Sequence, residues 1–304
     1  MKVAALDLGT NSFLCLIVEG DKSGIKKVLS DQVKVVRLGQ GVGQTGAFHP
    51  EALKRAKECL TEFKKEIDRH HVDRILAMAT SAARDAKNGE ELFKIGKELS
   101  IPIEIIPGAD EARITFAGAT EDELKENGNI AVVDVGGGST EFIVGNRKEL
   151  HFSKSLNIGG VRLTEKFISA QPISSLERAA VEKFIDEQIA SIIPQIKAHP
   201  IDEILAVAGT PSALAVADIG SFDPKKIQGY VLDQAKLKKW CDLFASTTTQ
   251  EKTDKYNIEP GRADIIFVGA TILHRFLVHA NKPSMKVSIK GVRYGVALEA
   301  LSRN

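Results

Sequence analysis

Apolar residues along the chain are spaced alternately as in strands and as in helices. Continuous or alternating apolar segments are typical of strands, whereas the apolar positions between Leu53 and Ile67 recur at helical spacing. The predicted elements of the first part are strands at residues 2–8, 12–19, 32–38, 74–79 and 102–106, and helices opening at Pro50, at residue 89 and near Asp110. Regular alternation of the two element types predicts an α/β protein.

The same pattern starts again at residue 130. The predicted elements of this second part are strands at residues 130–135, 140–145, 149–156, 203–208 and 286–289, helices at about 176–197, 233–245 and 261–279, and a short helix at the end of the chain. The restart brings a similar sequence with it: A-A-L-D-L-G-T-N-S at 4–12 and A-V-V-D-V-G-G-G-S at 131–139. We therefore predict two similar lobes with a cleft between them, where a ligand would bind. Chance agreement between two strand–glycine-turn patterns is the alternative.

Composition narrows the class of protein. The chain has 304 residues, 43% hydrophobic and 27% charged, with a net charge of +1. Without a positive field, neither nucleic acid nor a membrane surface is an expected partner. The three cysteines form no closely spaced pair, which is typical of a reducing compartment, so we expect a cytoplasmic location.

Two glycine turns carry the strongest candidate chemistry. Glycine lets the backbone approach a ligand, and such turns form nests for phosphate oxygens. Carboxylates beside them can hold a divalent cation, and Mg²⁺ prefers a few carboxylates plus phosphate. A flexible hairpin turn is the alternative. The candidate phosphate-binding residues are Gly9, Thr10, Asn11, Ser12, Gly136, Gly137, Gly138, Ser139 and Thr140, and the candidate metal ligands are Asp7, Asp134 and Glu141.

Four further residues have more than one interpretation from their spacing alone. Gly209 and Thr210 follow a strand and offer either an anion site or a plain helix cap. Glu111 opens a helix, where it complements the helix dipole or acts as a general base. Arg84 follows a strand and is either a solvated surface group or a bidentate phosphate ligand.

Taken together, these motifs resemble the exopolyphosphatase/guanosine pentaphosphate phosphohydrolase family, a branch of the actin-like, sugar-kinase-like superfamily. The resemblance covers nearly the whole chain. The matching segments are Asp7–Phe13, Val36–Gly39, Ala79–Arg84, Asp110–Arg113, Asp134–Glu141, Gly209–Thr210, Arg262–Asp264 and Gly291–Arg293. It implies an α/β fold of two ribonuclease-H-like domains, residues 1–118 plus 291–304 and residues 119–290, with an interdomain cleft.

The resemblance also implies roles for particular residues. Glu111 is then the catalytic base, Asp134 and Glu141 are the Mg²⁺ and water-positioning carboxylates, and Arg84 is a phosphate clamp. The expected activity is Mg²⁺-dependent release of the terminal phosphate from inorganic polyphosphate or guanosine pentaphosphate, the latter tied to the stringent response. A non-hydrolytic nucleotide or alarmone sensor and an ATP-dependent kinase of the same superfamily are the alternatives.

The chain departs from the family pattern in two motifs. Leu14 stands where members often carry Arg or His, and Tyr294 interrupts the usual Leu-Arg-Glu-Gly. Because the chain ends at Asn304, without the C-terminal helical domain of longer members, a weaker hold on long polymers is expected. The sequence leaves a monomer and a homodimer open.

Overall fold

The structure is a computed structural model that describes residues 1–121 and 128–303; residues 122–127 and Asn304, which fall in the expected domain ranges, lie outside it. The strands are β1 Lys2–Leu8, β2 Ser12–Asp21, β3 Gly24–Val35, β4 Arg74–Ala79, β5 Ile103–Ile105, β6 Ile130–Val135, β7 Thr140–Gly145, β8 Leu150–Leu156, β9 Glu203–Val207, β10 Val231–Asp233 and β11 Ser284–Val287. The helices are α1 Val42–Thr45, α2 Pro50–His70, α3 Ser81–Asp85, α4 Glu90–Glu98, α5 Gly108–Ala119, α6 Gly160–Phe167, α7 Ser175–Ala190, α8 Ile193–Lys197, α9 Gly209–Ile219, α10 Pro224–Ile227, α11 Gln234–Ala245, α12 Thr249–Tyr256, α13 Pro260–Ala263, α14 Ile266–Ala280 and α15 Val292–Ser302.

The chain divides into two compact units, Met1–Gly118 with Gly291–Asn304, and Ala119–Lys290. The first unit contains a five-stranded sheet of order β3-β2-β1-β4-β5. Strands β1 to β3 are antiparallel neighbours, and β4 and β5 continue the sheet parallel to β1. Alternate residues of β1 point to opposite faces, so both faces need cover. Helix α2 packs on one face and α15 on the other, which explains the nearly continuous apolar run of β1.

The second unit repeats this topology. Its sheet has the order β10-β11-β9-β6-β7-β8, in which β6, β7 and β8 are antiparallel and β9 and β11 follow in parallel. The order matches that of the first sheet, with β10 added at one edge. The core on one face is dominated by α14, whose Phe276 ring lies 5.2 Å from that of Phe142 on β7.

The duplication extends to the hairpin loops. The N–H of Gly9 donates to the carbonyl of Ser12 at 3.1 Å, and the N–H of Gly136 donates to that of Ser139 at 3.0 Å. The two glycine turns are therefore built alike, and the prediction of two ribonuclease-H-like α/β units is confirmed.

Several predicted element bounds were wrong. The strand expected at 32–38 is β3, which begins at Gly24 and ends at Val35, because Arg37 adopts a left-handed φ of 54°. The long helix expected at 176–197 is two helices, and Pro194 lies in the first turn of the second one, where proline is favoured. Helix α6 was not predicted at all. Within the described residues, no helix combines the length and apolar character needed to cross a bilayer.

Candidate active site

In the first unit, the turn between β1 and β2 is held from behind by the segment 36–39. The N–H of Gly39 donates to the carbonyl of Thr10 at 2.9 Å, and the N–H groups of Val36 and Arg37 donate to that of Asn11 at 3.0 and 2.7 Å. In a trans peptide the N–H points opposite to the C=O. These bonds therefore turn the N–H groups of Asn11 and Ser12, which follow the two carbonyls, away from segment 36–39, as a phosphate nest requires.

Arg84 and Glu111 meet in this same unit. Arg84 lies on the short helix α3 after β4, and Glu111 lies in the first turn of α5. One guanidinium nitrogen, Nη1, donates to Glu111 Oε2 at 2.7 Å and to the carbonyl of Ile106 at 2.8 Å. Among the described residues, nothing accepts from the other guanidinium nitrogens of Arg84, so they remain available to an anion. Arg84 is thus not a solvated surface group. It binds Glu111 and still has nitrogens that could bind phosphate.

The Glu111 carboxyl is buried, with only 6% of the residue exposed. Burial raises the pKa of Glu111 above its ordinary value, and the Arg84 guanidinium partly opposes that shift. A carboxylate with a raised pKa and one oriented hydrogen bond is better suited to accept a proton than an ordinary surface carboxylate.

In the second unit, helix α6 supports the 136–139 turn. The N–H of Gly160 donates to the carbonyl of Gly136 at 2.9 Å, and that of Val161 donates to the carbonyl of Gly137 at 2.9 Å. The loop N–H groups that follow these carbonyls therefore point away from α6. Within the described part of the chain, no acceptor binds the N–H groups of Gly137, Gly138 or Ser139. Adjacent N–H groups that point outward in this way can bind phosphate oxygens.

A row of polar residues crosses the strands beside this turn. Asp134 pairs with Glu141 in the β6–β7 register, and Glu141 pairs with Ser155 in β7–β8. Glu141 is 1% exposed, and its Oε1 accepts from Ser139 Oγ at 2.8 Å and from Ser155 Oγ at 2.7 Å. Thr140 is also buried and donates its hydroxyl to the carbonyl of Ile158.

Two buried carboxylates on neighbouring strands, next to outward N–H groups, are a donor set that fits Mg²⁺ bound together with phosphate. No group of three or more His, Cys, Asp or Glu side chains suited to a metal occurs in the described ranges, so phosphate oxygens or water would have to complete the coordination. Asp7, the third candidate ligand, pairs with Leu14 instead of a second carboxylate.

The turn before α9 contains a feature that the sequence did not single out. Ala208 adopts φ 74° and ψ −164°, a strained conformation for a residue with a side chain. A side chain at Gly209 would overlap the guanidinium of Arg262, so only glycine permits this approach. In the described residues, that guanidinium has no hydrogen-bond partner, and burial lowers the pKa of Arg262. Thr210, the next residue after Gly209, is buried.

A buried guanidinium that makes no hydrogen bond to the described residues favours an anionic ligand, even though the charge of Glu259 acts on it. Arg262 was noticed in the sequence only as part of a matching motif and was given no role there. The feature that identifies Arg262 is its close contact with Gly209, which lies far away along the chain.

Comparison with known proteins shows what this arrangement belongs to. The model of the Ppx/GppA phosphatase family matches residues 16–304. Exopolyphosphatase 2 of Mycobacterium tuberculosis is 31% identical, over 98% of each chain. The crystal structure of the Aquifex aeolicus Ppx/GppA family member has a TM-score of 0.81 and 31% identity, over 98% of this chain and 97% of that one. An exopolyphosphatase from Cytophaga hutchinsonii has a TM-score of 0.91 and 28% identity, over 99% and 98%. The chain therefore belongs to the Ppx/GppA phosphatase family and has the fold of its solved members.

Proposed function

We propose that this protein is an exopolyphosphatase, a hydrolase that releases the terminal phosphate of inorganic polyphosphate. The observation that carries the proposal is the buried Glu111 carboxyl, oriented by Arg84 in the unit that also contains the 9–12 turn. A sensor that only binds a nucleotide needs no buried, oriented base. The full-length similarity to an exopolyphosphatase supports the choice of substrate.

Binding relies on groups that already point outward. The N–H groups of Gly137, Gly138 and Ser139 can donate to phosphoryl oxygens, as can the outward N–H groups of the 9–12 turn. Arg84 presents its unused nitrogens, and the Arg262 guanidinium, which makes no hydrogen bond to the described residues, adds a positive charge. Little covalent chemistry is required of the protein, because positioning and electrostatic stabilisation lower most of the barrier.

Glu111 acts on the water. The water oxygen forms a bond to the terminal phosphorus, the P–O bond to the next phosphate breaks, and the water proton moves to Glu111 Oε. The shortened polyphosphate leaves with the electron pair of the broken bond. Arg84 holds the carboxylate in place while its free nitrogens face the phosphoryl oxygens.

Asp134 and Glu141 would hold Mg²⁺ in the second unit. When bound, the ion offsets the negative charge that develops on the phosphoryl oxygens. Ser139 and Ser155 fix the Glu141 carboxylate through Oε1, which keeps it in one orientation for this role.

Guanosine pentaphosphate is a predicted second substrate. A homodimer is also a prediction. A cytoplasmic location is supported by three free, buried cysteines, Cys15, Cys59 and Cys241.

The test is a phosphate-release assay on purified protein with polyphosphate and with guanosine pentaphosphate, each with Mg²⁺ and with EDTA. We expect release from polyphosphate that depends on Mg²⁺. Glu111→Gln should abolish most of it, whereas Glu90→Gln, on an exposed glutamate of α4, should not. Binding of either compound without phosphate release would favour the sensor. ATP formed from ADP and polyphosphate would instead favour the kinase.

A further inference from the structure

Three consecutive carbonyls of the 136–139 turn are held on one side. The carbonyls of Gly136 and Gly137 accept from the first N–H groups of α6. The carbonyl of Gly138 is held differently: it accepts from a side chain, Arg162 Nε, at 2.7 Å. The backbone N–H of Arg162 meanwhile donates to the Gly137 carbonyl at 3.0 Å.

Helix α6 has no backbone donor left for Gly138. The N–H groups of Gly160, Val161 and Arg162 already bind the preceding two carbonyls. The next N–H, of Leu163, donates to Gly159 at 3.0 Å within the helical ladder. The third peptide of the turn can therefore be held by α6 only through a side chain.

The position of Arg162 is unusual for a cation. It lies in the first turn of α6, which contains no acidic residue and where the helix dipole disfavours positive charge. A side chain at Gly159 would overlap the backbone of Gly137 and Gly138, so glycine is required for α6 to approach the turn. The close approach of α6 to the turn and the unfavourable position of the Arg162 charge are both explained if the contact between Arg162 and the Gly138 carbonyl has a function.

That contact determines where Ser139 points. The carbonyl of Gly138 and the N–H of Ser139 belong to one peptide plane and point in opposite directions. With the carbonyl fixed on Arg162, the Ser139 N–H faces outward with those of Gly137 and Gly138. The same residue donates its hydroxyl to Glu141. One peptide orientation thus sets both a phosphate donor and the support of a candidate metal ligand.

We propose that Arg162 is a positioning residue of this phosphate-binding turn: it orients the Gly138–Ser139 peptide so that three successive N–H groups bind one phosphate. The proposal rests on the proposed function, in which this turn binds the substrate. Arg162 touches the turn and not the reacting atoms. The planar guanidinium suits the task because its Nε–H direction is fixed relative to its charge, unlike that of a lysine ammonium.

The test compares Arg162→Met and Arg162→Lys with Lys166→Met. Lys166 lies on the same helix, but its ammonium sits 4.1 Å from the centre of the Phe184 ring instead of on the turn. Steady-state kinetics with polyphosphate and Mg²⁺ give kcat and KM. Calorimetric titration with tripolyphosphate gives binding without turnover in the Glu111→Gln background. Thermal unfolding of each variant shows whether it is folded.

We expect Arg162→Met to weaken tripolyphosphate binding and to lower kcat/KM by about tenfold. The effect should be smaller than the loss from removing an oriented hydrogen-bond donor outright, because the variant keeps the Ser139 N–H and loses only its orientation. Arg162→Lys should recover only part of the loss, and Lys166→Met should match the parent protein. A lower melting temperature with unchanged binding, kcat and KM would show a purely structural role and overturn the inference. If Arg162→Met does not fold, Arg162→Lys decides alone: parental binding and kcat/KM there also overturn it.

Failure of the proposed function gives a different result. In that case the parent protein releases no phosphate from polyphosphate, while the titrations still report on the turn. Weaker tripolyphosphate binding by Arg162→Met would then support the positioning role, and equal binding would reject it.

Discussion

The two units share a backbone plan, but their chemistry differs. Across the three antiparallel strands of the second unit, one row reads Asp134, Glu141 and Ser155. The equivalent row of the first unit reads Asp7, Leu14 and Val33. The first unit instead holds the Arg84–Glu111 pair. The hairpin backbone is thus duplicated, while the proposed base and the candidate metal ligands lie in different copies.

The supports of the two turns differ as well. In the first unit an irregular segment, 36–39, supplies backbone N–H groups to the carbonyls of Thr10 and Asn11. In the second unit a helix and the Arg162 side chain do so. The Thr10–Asn11 side chains are buried, whereas the second turn has glycines in those places. The second turn therefore needs more external support, since glycine has the greatest backbone freedom.

The largest expected effect comes from the first unit. Glu111→Gln removes the proposed base and should lower kcat by on the order of 10² or more while leaving KM within a few-fold. Phosphate release under substrate saturation measures this, with Glu90→Gln as the matched control. Near-normal turnover in Glu111→Gln would show that Glu111 is not the catalytic base.

Next is the polar row of the second unit. Glu141→Gln should raise the Mg²⁺ concentration for half-maximal activity and lower kcat by on the order of 10² or less, because the carboxylate charge on the metal is lost. The control is Leu14→Met at the equivalent place, which should stay within about twofold since volume-conserving apolar changes are tolerated. Equal effects of Glu141→Gln and Leu14→Met would contradict the proposal that the metal ligands lie only in the second unit.

A smaller effect concerns pH. Burial raises the pKa of Glu111, and Arg84 opposes that shift. Removing the cation in Arg84→Met favours the protonated acid, so the pKa of Glu111 rises further. The base form then appears only at higher pH, and the acid limb of kcat/KM should move to higher pH. Arg113→Met, which removes an exposed cation of α5 paired with Glu299, should leave the limb in place. A shift to lower pH in Arg84→Met would refute this coupling.

The smallest effect tests one hydrogen bond of the polar row. Ser155→Ala removes one of two hydroxyl donors to the buried Glu141 and should lower the free energy of unfolding by about 1–3 kcal/mol. Urea unfolding without metal measures it. Ser153→Ala, on an exposed serine of the same strand, should change it by less than about 0.5 kcal/mol. A loss in Ser155→Ala no larger than in the control would show that Ser155 contributes nothing to holding Glu141.

Much of the fold could be predicted because its signals are local. Strand and helix periodicities, the repeat of Asp, Gly and Ser in the two hairpins, and the glycine turns are all contained in short segments. These signals predicted the α/β class, the duplicated topology and the turns proposed to bind phosphate. Element bounds failed where tertiary contacts ended an element, as with β3, whose neighbour Arg37 bends back onto Asn11.

What the sequence alone determined is therefore the inventory: which carboxylates, arginines and glycine turns the chain possesses, and on which kind of element each lies. Only the tertiary structure decided their partners. The role of Arg84 was ambiguous until its contact with Glu111, 27 residues away, was seen. Ser155 and Arg162 had no local signal, and Arg262 was noticed only in a matching motif, with no role. The physical reason is that a side chain's neighbours in a β-sheet protein come from distant strands and helices, and those contacts set charge, burial and orientation.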